Sequence, residues 1–345
     1  MRQSLITTWR FLTRRQQLSY IALILGRMVA NLLDLAGIAA IGLLVMAVAS
    51  GEIDLDVGGF FRFRVEETPP EFIAGLVAAA AGAFLLKSSF NLILSLALVR
   101  FVAGLEVRAS RRLASYLLSG SLSELRRFSQ ADIQYAVNAS TGAMFGGILN
   151  NVANIIVDSA LMLMILAAFV MVNPLAALVI AGYLLIVVTG IQWVIGGKLK
   201  QVGRDVNQGS VAATGAVIDS VVSFREVAVL KKQPFFLRRF SDARWLLART
   251  KATETILRSV PRLIIEQGLM LGVLGFVAWQ VVGSDPASGL AAVGVFIVGS
   301  VRIIGAVIPV QNAYSALKTT AVKAEMAQRL QRRGLERLSD RREIQ

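Results

Sequence analysis

The chain has 345 residues, of which 55% are hydrophobic and only 17% are charged, and its mean hydropathy is +0.64. This composition excludes an ordinary soluble domain. Cysteine and histidine are both absent, which removes disulfides, thiolate and imidazole catalysis and the usual zinc sites. The sequence therefore predicts no metal site and no catalytic residue.

The first 17 residues are predicted to form an amphipathic helix at the membrane interface. Leu5, Trp9 and Leu12 recur at helical spacing, whereas Arg10 and Arg14 share another face. A frayed basic tail is the alternative interpretation.

Six apolar stretches that are long enough to cross a bilayer follow. They cover residues 18–49, 72–99, 148–172, 175–195, 263–282 and 290–310. Together they predict a membrane domain over 18–316, followed by a cytoplasmic C-terminal helix or linker over 317–345. The outer connections are an acidic loop at 51–71 and tight turns at Asn173-Pro174 and 283–289.

The basic residues indicate the orientation of these spans. Of the 36 Lys and Arg residues, 31 lie in the N-terminus, the C-terminus and two connections, 100–147 and 197–262, which we name the first and second inner connections. Positive residues gather on the cytoplasmic side, so both termini are predicted to be cytoplasmic, in a cytoplasmic (inner) membrane with its lipids around the spans. The net charge of +14 follows this topology, and no nucleic-acid-binding motif accompanies it.

Both inner connections read as helical, so helices are predicted to continue beyond the membrane, turn and return. The expected fold class is an all-α membrane protein with six transmembrane helices and long cytoplasmic helical extensions. Each inner connection also contains a distinctive segment, Phe128-Ser129-Gln130-Ala131-Asp132-Ile133 in the first and Ser223-Phe224-Arg225-Glu226-Val227-Ala228-Val229 in the second.

This pattern resembles the transmembrane domain of ABC exporters (the type 1 ABC transmembrane domain). The resemblance implies that each inner connection carries a coupling helix that docks on a nucleotide-binding domain. The residues implied in coupling are Phe128, Ser129, Gln130, Asp132, Ser223, Phe224, Arg225 and Glu226. The segment Gly299-Ser300-Val301-Arg302-Ile303-Ile304, with Pro309 and Asn312, is similar to the sixth span of the branch that flips lipid-linked oligosaccharides.

A phosphate-binding loop is missing from the sequence. Gly197-Lys198 is followed by Leu199, and Gln192 stands where the motif needs its first glycine. The chain is therefore expected not to bind or hydrolyse ATP by that machinery and to hold no cofactor. The resemblance implies a dimer, expected to be a homodimer, with ATP and Mg²⁺ on a nucleotide-binding domain that is a separate chain or a part missing from this one.

Polar residues inside apolar spans are candidates for the walls of a substrate cavity, because they are costly in lipid. Helical spacing places Arg27, Asn31 and Asp34 on one face of the first span, and Asn151, Asn154 and Asp158 on one face of the third. Structural packing between helices is an equal alternative. Lys87 and Arg302 have no carboxylate three or four residues away and would suit an anionic head group. Arg262 and Glu266, four residues apart, are predicted to pair.

The expected function is the substrate-translocating part of an ATP-driven exporter or flippase for a lipid-linked or amphipathic substrate. A proton-coupled secondary transporter that uses Asp34, Asp158 and Glu266 is one alternative. A membrane scaffold that transports nothing is another.

Overall fold

A computed structural model describes residues 2–50, 53–57, 61–65, 70–119, 128–172, 174–283 and 286–329. Side chains are described over 3–32, 81–119, 128–167, 185–268 and 305–329, and at a few positions between these ranges. The candidates Asp34 and Arg302 and the turn residue Asn173 lie outside the described side chains.

The described chain is almost entirely helical. Its helices are α1 (Arg2–Arg10), α2 (Arg14–Ser50), α3 (Pro70–Ser119), α4 (Gln130–Tyr135), α5 (Asn150–Val172), α6 (Pro174–Val222), α7 (Phe224–Val229), α8 (Gln233–Gly283) and α9 (Pro286–Lys323). Two π-helical segments, Ala136–Ser140 and Ala143–Leu149, connect α4 to α5. Five of the six apolar stretches lie within the long helices α2, α3, α6, α8 and α9, and the stretch 148–172 covers α5 and the last two residues of the second π-helical segment. By length and composition alone, two stretches of the described residues qualify as membrane spans, Ala81–Ser119 and Gln130–Ala167.

The acidic outer loop departs from the all-α expectation. Strands β1 (Ile53–Val57) and β2 (Phe61–Val65) form an antiparallel hairpin there. Its register places Asp54 opposite Arg64 and Asp56 opposite Arg62. Strands therefore stand where only an acidic loop was predicted.

The N-terminal helix is shorter than predicted. α1 ends at Arg10, and α2 begins at Arg14 rather than after residue 17. The face of α1 that packs on the protein carries Ser4 and Thr8, while Trp9 remains 37% exposed. Gln328 fixes this contact, because its Nε2 donates to the Ser4 carbonyl oxygen at 3.1 Å. The start of the chain therefore packs on the segment that follows α9.

The two largest apolar clusters among the described residues both include residues of α5. One joins α2, α3 and the second π-helical segment, and there the Tyr20 hydroxyl donates to the Leu149 carbonyl oxygen at 2.7 Å. The other joins α5, α6, α8 and α9 around Ile165, Leu199 and Ile265. Buried residues follow helical spacing far along α3, from Leu98 to Leu113. Such a stripe is what a helix needs to keep packing on its neighbours beyond a membrane.

Candidate functional site

An open cleft of about 630 Å³ lies between α5, α8 and α9. We name it the polar cleft, because most of its wall can form hydrogen bonds. Its lining residues are Asn151, Asn154, Asp158, Thr255, Arg258, Ser259, Arg262, Pro309, Asn312, Ala313 and Ala316. The structure therefore brings the predicted polar face of the third span to one wall of a cavity.

The predicted polar face of the first span meets that same helix. Arg27 Nη1 donates to Asn154 Oδ1 at 2.9 Å, and Asn31 Nδ2 donates to the Val157 carbonyl oxygen at 3.4 Å. Arg27 and Asn31 thus join α2 to α5 as packing contacts. Asn154 takes part in both helix packing and the cavity wall. Its Oδ1 accepts the hydrogen bond from Arg27, and its side chain lines the polar cleft.

The opposite wall of the polar cleft contains two arginines of α8. Arg262 Nε lies 2.7 Å from Glu266 Oε1, which confirms the predicted pair. Arg258 Nη2 lies 2.6 Å from Glu254 Oε1 and also donates to Thr319 Oγ1 on α9. Arg258 was not among the predicted cavity residues, although its spacing from Glu254 is the spacing that identified the other pair. Each of the two arginines that line the cleft is therefore paired with a carboxylate of its own helix.

Glu254 is a buried carboxylate at the centre of a polar network. Lys323 Nζ donates to both of its oxygens at 2.9 Å, which ties α8 to α9. Burial alone would raise the pKa of Glu254, but the hydrogen bond and charge of Lys323, together with the charge of Arg258, outweigh it. The pKa of Glu254 therefore lies below its usual value of 4.5, and the carboxylate is ionised at neutral pH.

Lys87 is not part of this cleft. It is half-buried on α3, and its Nζ lies 5.7 Å from the centre of the Phe84 ring, within range of a cation–π contact. Within the described part of the chain, no group of three or more acidic residues is placed to hold a metal ion.

The two inner connections meet near the turns at which their helices reverse direction. Between them lies a cleft of about 750 Å³ whose wall includes Ser129 and Gln130 of the first connection and Ser223 of the second. Ser129 begins α4 with a capping box, in which Asp132 N–H donates to Ser129 Oγ at 3.0 Å and Asp132 Oδ2 accepts the Ser129 N–H at 3.3 Å. Beside it, an ion pair of 3.1 Å joins Arg239 on α8 to Asp219 on α6. Two segments about 90 residues apart thus share one surface.

The second inner connection reverses direction near its middle, at residues 224–237, which we name the apolar tip. α7 forms a single short helix there, and Lys231 adopts a φ of 49° that turns the chain into α8. Five large apolar side chains of the tip are more than half exposed, namely Phe224, Val229, Leu230, Phe235 and Leu237. Arg225 and Glu226 are also exposed, whereas Val227 packs inward. Phe128 of the first connection differs, because it packs against Leu113 and Ala136.

Comparison with models of known protein families and with curated proteins finds no match. Among solved structures, the chain is similar to a bacterial Atm1-family ABC exporter determined with ATP bound, with a TM-score of 0.65 and 14% sequence identity. The match covers 93% of this chain and 54% of that exporter chain, so this chain spans about half of its length. The fold is therefore that of an ABC exporter transmembrane domain.

Proposed function

We propose that the chain is the substrate-translocating transmembrane part of an ATP-driven exporter or flippase in the cytoplasmic membrane. The observation that carries this proposal is the fold likeness over 93% of the chain to an ABC exporter. All six apolar stretches lie on the helices of that fold. In this proposal they cross the membrane with both termini in the cytoplasm, and two copies of the chain assemble around the substrate path.

The apolar tip supports a nucleotide-binding partner. Five large apolar side chains clustered at a helical turn, with Arg225 and Glu226 among them, have the composition of an interface centre with a charged edge. In this proposal ATP and Mg²⁺ bind to the partner domain, because the chain itself carries no Gly-x-x-x-x-Gly-Lys-Ser/Thr loop.

The polar cleft supports a lipid-linked or amphipathic substrate with a hydroxyl-rich or amide-rich head group. Asn151, Asn154 and Asn312 offer neutral donors and acceptors. Because Arg258 and Arg262 each have a carboxylate at 2.6–2.7 Å, the described part of the cleft wall offers no unpaired positive charge of the kind that a bare anion would require. Asp158 adds a carboxylate to the wall.

The test of the coupling role uses cross-linking at the tip. With p-benzoylphenylalanine in place of Phe224, irradiation of native membranes should yield a cross-linked polypeptide whose peptides include a Gly-x-x-x-x-Gly-Lys-Ser/Thr sequence. Val107 on α3 is equally exposed and provides the matched control position, where no such product should form. Products at Phe224 that lack any nucleotide-binding polypeptide would refute the coupling role.

Topology is tested separately, since the chain has no native cysteine. Val229→Cys should react with a membrane-impermeant maleimide only in inside-out vesicles, and Asp285→Cys only in right-side-out vesicles. The opposite labelling of Val229→Cys would overturn the proposed orientation even if the fold were correct.

A further inference from the structure

A second cavity, of about 360 Å³, lies between α5, α6 and α9. We name it the apolar pocket. Most of its lining is aliphatic, including Met162, Leu166, Val188, Val307 and Val310. Leu163 and Leu185, two further lining residues, are 61% and 70% exposed, so the pocket opens to the surroundings of the helices. Its volume is within the range of sites that bind small molecules.

One buried amide interrupts the aliphatic lining. Gln311 lines the apolar pocket and is only 3% exposed. Its Nε2 is buried and has no hydrogen-bond partner among the described residues. A buried amide donor without an acceptor is unfavourable, because it has lost water and gained nothing in exchange. Buried polar side chains nearly always have a hydrogen-bond partner, and a molecule bound in the pocket would supply the acceptor that Gln311 lacks.

Water is a poor occupant of this pocket. An ordered internal water needs two to four polar partners, and apolar cavities stay dry. Apart from Gln311, Thr189 supplies the only polar side chain among the lining residues that the structure describes. An apolar molecule fits the aliphatic wall better, provided that it carries an oxygen that can accept one hydrogen bond.

The apolar pocket is distinct from the polar cleft. Pro309, Asn312, Ala313 and Ala316 of α9 face the polar cleft, whereas Ala306, Val307, Val310 and Gln311 of the same helix face the apolar pocket. The α5 and α6 residues of the pocket all lie within apolar stretches of the sequence. A ligand can therefore reach the pocket from a hydrocarbon phase without entering the polar cleft.

We propose that the apolar pocket binds an acyl chain bearing an ester oxygen, and that Gln311 Nε2 donates a hydrogen bond to this oxygen. The chain can come from a bilayer phospholipid or from a free fatty ester, because both present the same chemistry. The proposal rests on the pocket and on Gln311, and it does not depend on what the polar cleft transports.

The test is photoaffinity labelling of the full chain in phosphatidylcholine nanodiscs. Three probes carry a diazirine in an 18-carbon chain: a phosphatidylcholine, a methyl ester and an alkane. The two esters should label peptides that contain Met162–Leu166 or Val307–Gln311. Labelling by both indicates a lipid site that tolerates either source, and labelling by the methyl ester alone indicates a site for free esters. Absence of label at these peptides with both esters would overturn the proposal.

The role of Gln311 is tested with Gln311→Leu, which keeps the side-chain size and removes the donor. Labelling by the esters should fall about three- to tenfold, as expected for one neutral hydrogen bond, while labelling by the alkane should be unchanged. Gln208→Leu, at an exposed glutamine of α6, is the matched control and should change neither. Val188→Phe, which fills the pocket, should reduce labelling by all three probes. Equal labelling of wild type and Gln311→Leu by the esters would refute the hydrogen bond.

Discussion

Lys323 Nζ lies 2.9 Å from both carboxylate oxygens of Glu254, and this contact joins α9 to α8 across 69 residues of sequence. Arg258 approaches the same carboxylate and also donates to Thr319 of α9. One buried acidic group therefore holds two cations and two helices in register. Because α8 and α9 both line the polar cleft, the pair also fixes the shape of that cavity.

Replacing Glu254 by glutamine should destabilise the protein strongly. The variant removes a buried carboxylate from two partly buried cations, Lys323 and Arg258. Loss of one partner of a fully buried pair costs about 3–5 kcal/mol, and partial exposure of the cations should bring the cost here to about 2–3 kcal/mol. The expected result is a clear fall in Tm of the detergent-solubilised chain. Glu266→Gln is the matched control, since its pair with Arg262 is more exposed and should contribute at most about 1 kcal/mol. Equal Tm values for the two variants would contradict the central role of Glu254.

The stabilising effect of Glu254 should depend on pH in the acidic range. Its pKa is lowered in the folded state, so its contribution is complete above the unfolded value of 4.5 and is lost as the pH falls through the folded pKa. The difference in Tm between wild type and Glu254→Gln should stay constant from pH 8 to pH 5. It should shrink below pH 4.5, where the Glu254 carboxylate of the unfolded chain begins to take up a proton while that of the folded chain is still ionised. A difference that shrinks already between pH 7 and pH 5 would contradict the lowered pKa.

The long helices could be predicted from the sequence because hydrophobic length and spacing are local properties. The same is true of the pair Arg262–Glu266, which needs only a four-residue spacing, whereas the short helix α7 was expected only from the family resemblance. The hairpin also had a local signal that the prediction passed over. Ile53-Asp54-Leu55-Asp56-Val57 and Phe61-Arg62-Phe63-Arg64-Val65 alternate with the two-residue period of a strand.

Contacts between distant helices could not be predicted in this way. The sequence gives no sign that Glu254 meets Lys323, or that Gln311 is turned into an aliphatic pocket, because both depend on how α8 and α9 rotate against their neighbours. The face with Asn151, Asn154 and Asp158 was predicted from spacing alone. Arg258, which lies on the opposite wall of the polar cleft, was not predicted to line it. Spacing defines a helical face, whereas only the packing of the helices determines what that face meets.

Gly147 allows the closest approach between α9 and the second π-helical segment. A Cβ atom at this position would overlap Cγ2 of Thr320. Gly147→Ala should therefore lower the stability by about 1–3 kcal/mol, the usual cost of overpacking. Adding Thr320→Ser removes the overlapping methyl group and should restore most of the lost Tm, measured against Thr320→Ser alone.

The control for this substitution is Gly197→Ala on α6. An added Cβ there meets nothing within 4 Å, and alanine favours a helix interior by about 0.5–1 kcal/mol over glycine. Its Tm should be unchanged or higher. If both alanine variants behave alike, or if Thr320→Ser gives no rescue, the close approach at Gly147 does not limit the packing of α9.

The contact between Arg27 and Asn154 separates helix packing from substrate binding as the role of the polar residues on α2. If their hydrogen bond of 2.9 Å holds α2 on α5, a double-mutant cycle with Arg27→Met and Asn154→Ala should give a coupling free energy of about 1–2 kcal/mol. This value lies near the upper end for hydrogen bonds between membrane helices, because the donor is charged. The cycle is measured by unfolding in mixed micelles.

Arg27→Met with Asn312→Ala is the control, because Asn312 lines the same cleft from α9. The effects of these two substitutions on the free energy of unfolding should add to within about 0.5 kcal/mol. A coupling near zero for Arg27 and Asn154 would mean that their contact contributes nothing to packing. Arg27 would then be available to a substrate in the polar cleft.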